Sequence, residues 1–244
     1  MSFTAKAGEI TAIIGPNGSG KSTLLNAITG ETAYEGNIRF NDAEVAAIPA
    51  VRLADMRGVL SQFSSVTFPF TVREMVSLGA RAGRFETAFE EDGGIELVAL
   101  SRVGLEGFGG RKYHELSGGE QQRVQFARVL CQVWQPVSTD GPRWLFLDEP
   151  VSSLDIQHQI SIMEISRSYA QAGGGVFAIM HDLNLTAMYA DHVILLKDGT
   201  VLAAGTPVSV LTDENLEHAF SCRLKVGKVP PKSISFVLPQ SVNL

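Results

Sequence analysis

Cysteine is nearly missing from this sequence: Cys131 and Cys222 are the only two in 244 residues. They lie far apart, with no metal-type spacing and no histidine pair nearby. Neither a disulfide framework nor a zinc site is expected, and both read as reduced packing residues in a cytosolic protein. Long apolar runs are also lacking. None reaches the ~18 residues of a membrane span, and no signal-peptide pattern precedes the first expected strand. The chain is therefore expected not to enter a bilayer by itself. Basic residues are in the minority, 20 Lys and Arg against 26 Asp and Glu, for a net charge of −6. A nucleic-acid partner is disfavoured, because phosphate neutralisation calls for a basic face, although a local basic groove would be compatible with this balance. No internal repeat or low-complexity tract interrupts the chain.

Apolar residues are plentiful at 45%, against 19% charged, enough for a substantial core. The length allows one large domain, or a core with a smaller appended unit. EITAIIG reads as a buried strand and KSTLLNAIT as the helix after it. GNIRF and RGVLSQ read as further strands, the second ending at Gln62. From Thr71 to about Tyr113 the pattern is helical, with a break at Gly93-Gly94 and a looser stretch from Gly104 to Gly110. A long helix opens at Ser117. QPVSTDGPR, from Gln135 to Arg143, reads as a surface loop. RWLFLDEP is a buried strand with acids at its end, Asp155 to Ala170 an amphipathic helix, and GGVFAIMHD a strand with a polar tip. HVILLKDGTVLAAG reads as a hairpin about Asp198-Gly199. Short helical pieces follow Thr206, and the tail from about Lys225 either adds a last strand or stays loose. Strands separated by helices predict an α/β fold with a mostly parallel core sheet, whose ligands lie beyond the carboxyl ends of the strands.

The chemistry-bearing residues cluster at those ends. Gly15 to Ser22 fits G-x-x-x-x-G-K-[ST] between a strand and a helix, the context a phosphate loop requires. Its glycines let backbone N–H groups converge on phosphate oxygens at a helix N-terminus. Lys21 can reach the β- and γ-phosphates, and the Ser22 hydroxyl can ligate Mg²⁺. Asp148 is placed at the sheet edge, where it can hold the Mg²⁺ shell, and Glu149 is placed to polarise an attacking water. Ser117, Gly118 and Gly119 at a helix start offer a second anion site; by themselves they also fit an ordinary N-cap with Glu120 completing it. His181 sits at a strand tip and by itself fits a functional and a structural role equally; Gln62 could bind Mg²⁺ or water, but by itself reads as structural.

With these residues in order, the chain resembles the nucleotide-binding subunits of ABC transporters over nearly its whole length. GPNGSGKST looks like the Walker A segment, Gln62 like the Q-loop, and LSGGE (Leu116 to Glu120) like the signature. LFLDEP looks like Walker B, SSLD (Ser152 to Asp155) like the D-loop, and His181 like the switch histidine. The resemblance implies a P-loop NTPase of the ABC ATPase fold, with an antiparallel β part and an inserted helical subdomain near residues 63–116. Residues 200–244 would form a C-terminal hairpin, helices and tail within one domain spanning 1–244. It implies ATP and Mg²⁺ as ligands, with Gly15, Pro16, Asn17, Gly18, Ser19, Gly20, Lys21, Ser22 and Thr23 around the phosphates and Ser22, Gln62 and Asp148 around the metal. Glu149, His181 and Gln62 would carry catalysis. Two subunits would pair head to tail, so that Ser117, Gly118 and Gly119 contact the partner's ATP and Asp155, also an ATP-site residue, organises the dimer contact, in a homodimer with two equivalent sites.

SQFSSVTFPFTVREMVSLG and ARVLCQVWQP narrow the resemblance to the ATPases of iron-chelate and vitamin B12 importers, most closely those for haemin. That implies membrane permease subunits, indirectly a periplasmic substrate-binding protein, and a location on the cytoplasmic face of the inner membrane. A siderophore or B12 importer, or a soluble ABC protein outside transport, are the alternatives. Phe63, Phe68 and Phe70 have two readings, core of the helical region or wall of a groove for the permease. Members of the family carry a further segment ahead of MSFTAKAGE, including a first strand and an aromatic residue that stacks on adenine. Phe3 is not at the matching place. The phosphate half of the site is thus expected to be whole and the base-holding half not evident, a loss of about 1 kcal/mol for one aromatic contact.

Overall fold

The computed structural model describes residues 1–62, 68–83, 94–231 and 233–243. A central sheet holds the strands β1 (Ile10–Ile14), β4 (Arg57–Leu60), β7 (Trp144–Asp148), β8 (Gly175–Ile179), β9 (His192–Lys197) and β10 (Thr200–Gly205). Its order is β10-β9-β1-β8-β7-β4, parallel throughout except for β10, which pairs antiparallel with β9 across the expected Asp198-Gly199 turn. Between β1 and β4 lie α1 (Lys21–Ile28), a small antiparallel pair β2 (Arg39–Phe40) and β3 (Ala43–Glu44), and α2 (Ala50–Met56).

The inner strands β1, β7 and β8 are buried at every position, and apolar apart from Thr11 and the terminal Asp148, because both faces of the sheet are covered. Alternation still sorts their side chains. Ile10, Ala12 and Ile14 join Leu145, Leu147, Val176, Ala178, Val193 and Leu195 in one core. Ile13, Phe146, Phe177, Ile179, Ile194 and Leu196 face the other, with Leu25 and Ile28 of α1. Phe146 and Phe177 are each 1% exposed and their rings lie 5.6 Å apart. Such burial contributes about 2–3 kcal/mol per ring.

The helical stretch resolves into α3 (Val72–Ala82) and α4 (Ile95–Arg102), both packed on α5 (Gly118–Gln132), which also lies against β4. Thr71 caps α3 in a capping box with Glu74, and Gly94 marks the start of α4, where a break was expected; Gly93 lies outside the described residues. After β7 come α6 (Ile156–Gln171), α7 (Leu183–Tyr189), α8 (Pro207–Val210) and α9 (Asp213–Phe220).

Several expectations need correcting. GNIRF supplies only the two-residue β2. QPVSTDGPR is not a plain loop: β5 (Val137–Ser138) and β6 (Gly141–Pro142) form a short hairpin. It is held from outside, by Asn41 Nδ2 donating to the Pro142 carbonyl at 3.0 Å and the Arg143 guanidinium donating to the Asp55 carbonyl at 2.9 Å. The tail adds no strand among the described residues; it closes in a 3-10 turn, Pro239–Asn243. Cys131 is buried as expected, but Cys222 is exposed.

Candidate functional site

Parallel strands bring their carboxyl ends to one edge. Ile179 stands level with Ile13 on one side and Asp148 on the other, so the residues after β1, β7 and β8 emerge side by side. Gly15 follows β1, Glu149 follows β7 and His181 lies two residues past β8. Gln62 lies two residues past β4, exposed, not at the strand's last position as expected. An open cleft of about 690 Å³ is lined by Asn17, Gly18, Gly20, Lys21, Ser22, Thr23, Gln62, Glu149 and His181.

The loop from Gly15 is held tightly. A methyl group on Gly15 would overlap the Leu196 carbonyl, so only glycine fits beside β9. The Gly199 N–H of the β9–β10 turn donates to the Ser19 carbonyl at 3.2 Å and props the loop from behind. Lys21 is 7% exposed, its ammonium donating to the carbonyls of Gly15 at 2.9 Å and Pro16 at 3.0 Å. Burial pulls its pKa down, opposed by the negative charges of Glu149 and Asp148. A largely buried cation held by two neutral carbonyls is suited to exchange them for an anion.

Asp148 is likewise 7% exposed. Burial raises its pKa, the neighbouring Glu149 raises it further, and the Ser22 hydroxyl, Lys21 and His181 oppose the rise. Its Oδ1 is buried and takes no hydrogen bond from any described residue. With Ser22 beside it and Gln62 on the cleft wall, the donors are all oxygen, which fits a hard cation such as Mg²⁺. Among the described residues no cluster of three or more His, Cys, Asp or Glu could hold a metal alone, so water or phosphate oxygens would complete the shell.

Glu149 has a left-handed backbone, φ 50°, unusual for a residue with a side chain and costing about 1–2 kcal/mol. Its N–H donates to the Ile179 carbonyl at 3.2 Å. Its carboxylate, 16% exposed, meets His181 Nε2 at 2.6 Å.

Ser117, Gly118, Gly119 and Asp155 do not line this cleft. Ser117 caps α5 in a capping box: its Oγ accepts from the Glu120 N–H at 3.3 Å, and its own N–H donates to Glu120 Oε2 at 2.8 Å. Asp155 caps α6, accepting from the His158 N–H at 3.0 Å and lying 2.8 Å from His158 Nδ1. Phe3 is half-buried, its ring stacked 6.0 Å from that of Phe177 against the second core, and it does not line the cleft. Phe70 packs partly against the core while Phe68 is exposed, and Phe63 lies outside the described residues. Sequence reasoning missed Gln122, whose Nε2 donates to the Glu149 carbonyl at 2.9 Å. Its only trace in the sequence is a glutamine two residues past Glu120, which by itself reads as a solvated helix position.

The family described as ABC transporter matches residues 1–152. The chain belongs to the ABC transporter family. As a cassette of that family it binds and hydrolyses ATP. It is 57% identical over 242 residues to a hemin import ATP-binding protein of Jannaschia sp. (strain CCS1), covering 98% of this chain and 87% of that protein. A protein of the same name from Bartonella henselae is 51% identical over 243 residues, covering 100% of this chain and 91% of its own length. Among solved structures, an ATP-binding cassette of an ABC transporter in its ADP conformation matches with TM-score 0.73 at 26% identity, covering 91% of each chain. A dimeric bacterial ABC transporter cassette matches with TM-score 0.72 at 30% identity, covering 84% of this chain and 88% of the other. The α/β sheet and its flanking helices are thus those of an ABC ATPase. Among the described residues no helix is long and apolar enough to cross a membrane.

Proposed function

We propose that this chain is the ATP-hydrolysing subunit of a haemin importer, working as a head-to-tail homodimer beneath membrane permease subunits. The observation that carries the reading is the convergence of Lys21, Ser22, Asp148, Glu149 and His181 on one cleft edge from separate strand ends. The cargo rests on relatives such as those of Jannaschia and Bartonella, named for hemin import and alike over nearly the full chain.

The loop amides from Gly15 to Thr23 hold the phosphates and Lys21 leaves its two carbonyl partners for phosphate oxygens. Ser22, Gln62 and Asp148 would hold Mg²⁺, which would offset the charge of the phosphates. Glu149 accepts a proton from the attacking water, and His181, now bonded to Glu149, turns to the γ-phosphate as charge shifts there. Ser117, Gly118, Gly119 and Asp155 of each subunit complete the other's site, which accounts for their distance from the cleft of their own chain. The helical region near 63–116 receives the permease, with the exposed Phe68 on its surface. The assembly lies on the cytoplasmic face of the inner membrane and takes its cargo from a periplasmic substrate-binding protein.

Reconstitution with the permease in vesicles tests this. The parent chain is expected to hydrolyse ATP and move haemin. Glu149→Gln is expected to bind ATP with parental affinity while losing at least ~100-fold in turnover, the scale of a missing general base. Parental turnover in that variant would remove Glu149 from the role. Transport of a ferric siderophore or cobalamin with haemin refused would overturn the cargo.

A further inference from the structure

Gln122 lies in the second turn of α5, on the same helix whose first turn carries Ser117 to Gly119. Its Nε2 donates at 2.9 Å to the carbonyl of Glu149, 27 residues away. Ser152 Oγ donates to the same carbonyl at 3.2 Å. On the other side, the Glu149 N–H is tied to Ile179 of β8 at 3.2 Å. Both peptide groups flanking the Glu149 side chain are therefore fixed, and between them the residue is held left-handed at φ 50°. A strained backbone of this kind persists only where its surroundings over-determine it.

The Gln122 amide also gives something up. Its Oε1 is buried and takes no hydrogen bond from a described residue. An unsatisfied buried carbonyl oxygen is unfavourable and calls for a reason. The reason on hand is the other end of the amide, whose N–H reaches the one carbonyl that sets the direction of Glu149.

We infer that Gln122 is a positioning residue for the Glu149 carboxylate, and that it ties the start of α5 to the hydrolytic site of its own chain. The inference rests on the reading of Glu149 as general base. Helix α5 runs unbroken from Gly118 to Gln132, so a shift at Ser117 to Gly119 would carry Gln122, and with it the Glu149 carbonyl. Nucleotide held against the first turn of α5 would thereby set the aim of a base that serves a different nucleotide.

The test compares Gln122→Ala and Gln122→Glu with Glu149→Gln, measuring ATP turnover and, separately, equilibrium ATP binding. The glutamate variant keeps the size of the side chain but has no N–H to donate, and it serves where the alanine variant folds poorly. Both Gln122 variants are expected to lose about tenfold in kcat and to keep the ATP Kd within about twofold, since a misaimed base slows chemistry without weakening phosphate contacts. Added to Glu149→Gln, the Gln122→Ala change is expected to lower turnover no further. Parental kcat in both variants, or a Kd that rises in step with the loss of kcat, would overturn the inference. If Glu149→Gln turns over normally, the base assignment fails. If that variant is inactive while both Gln122 variants match the parent, the positioning role alone fails.

Discussion

Asp148 shows at the scale of one residue how a site is built against stability. Its carboxyl is buried, beside a second acid, with an oxygen left unbonded. Burial first, and Glu149 second, lift its folded-state pKa above the ordinary aspartate value. An acid with a raised folded-state pKa binds its proton more readily folded than unfolded. Acidification through that raised value therefore favours the folded chain, and at neutral pH the charge disfavours it. Asp148→Asn is accordingly expected to melt at or above the parent's Tm at neutral pH without nucleotide, the gap closing as pH falls. It is also expected to lose ATPase activity. A clearly lower Tm at neutral pH would mean that the charge stabilises the empty site. That a buried strand ends in the paired acids Asp148 and Glu149 was legible from LFLDEP, an apolar run closed by carboxylates. That one of them keeps an unbonded oxygen was not, since this depends on what stands around it.

Elements followed the sequence where local and tertiary forces agree. The buried strands β1, β7 and β8 lie within the expected runs because a doubly covered strand is apolar at nearly every position. Helix α5 begins after Ser117 because the serine and Glu120 satisfy each other's groups at its start. The expectation failed at residues 135–143, where two prolines and a glycine suggested a loop. Contacts from Asn41 and to Asp55, far away in sequence, hold a hairpin there that its own residues do not favour. GNIRF failed in the opposite sense, its pattern reaching further than its two-residue pairing with β3. The crossing of α3 and α5 is another contact invisible to periodicity. A methyl group on Gly79 would overlap the Arg128 backbone carbonyl, so the two helices meet at a distance only glycine permits. Gly79→Ala is expected to destabilise the chain by about 3 kcal/mol in urea unfolding, the overpacking scale. A parental midpoint would show that the helices part at no cost.

At the scale of the whole molecule, the single chain leaves Ser117 to Gly119 outside its own cleft, which is the arrangement expected if a second copy completes each site. Under the proposed function, Glu149→Gln with ATP is expected to run at twice the parental mass in gel filtration. Replacing Ser117 by Arg in that background should abolish the dimer while sparing ATP binding to the monomer. A monomer in the first case, or an unchanged dimer in the second, would count against the head-to-tail pairing. The sequence by itself determined the chemical inventory: the phosphate loop with Lys21 and Ser22, the paired acids, the histidine after a strand, and the alternation of strands and helices. These are local patterns, and local patterns survive in a string of letters. Tertiary structure alone decided that the ends of β1, β4, β7 and β8 meet at one edge, because the order β1-β8-β7-β4 is set by crossovers and register. It alone packed Phe3 against the core, curled Lys21 onto its own loop, and laid Gln122 against the Glu149 carbonyl. Each of these is a contact between segments that the chain keeps apart.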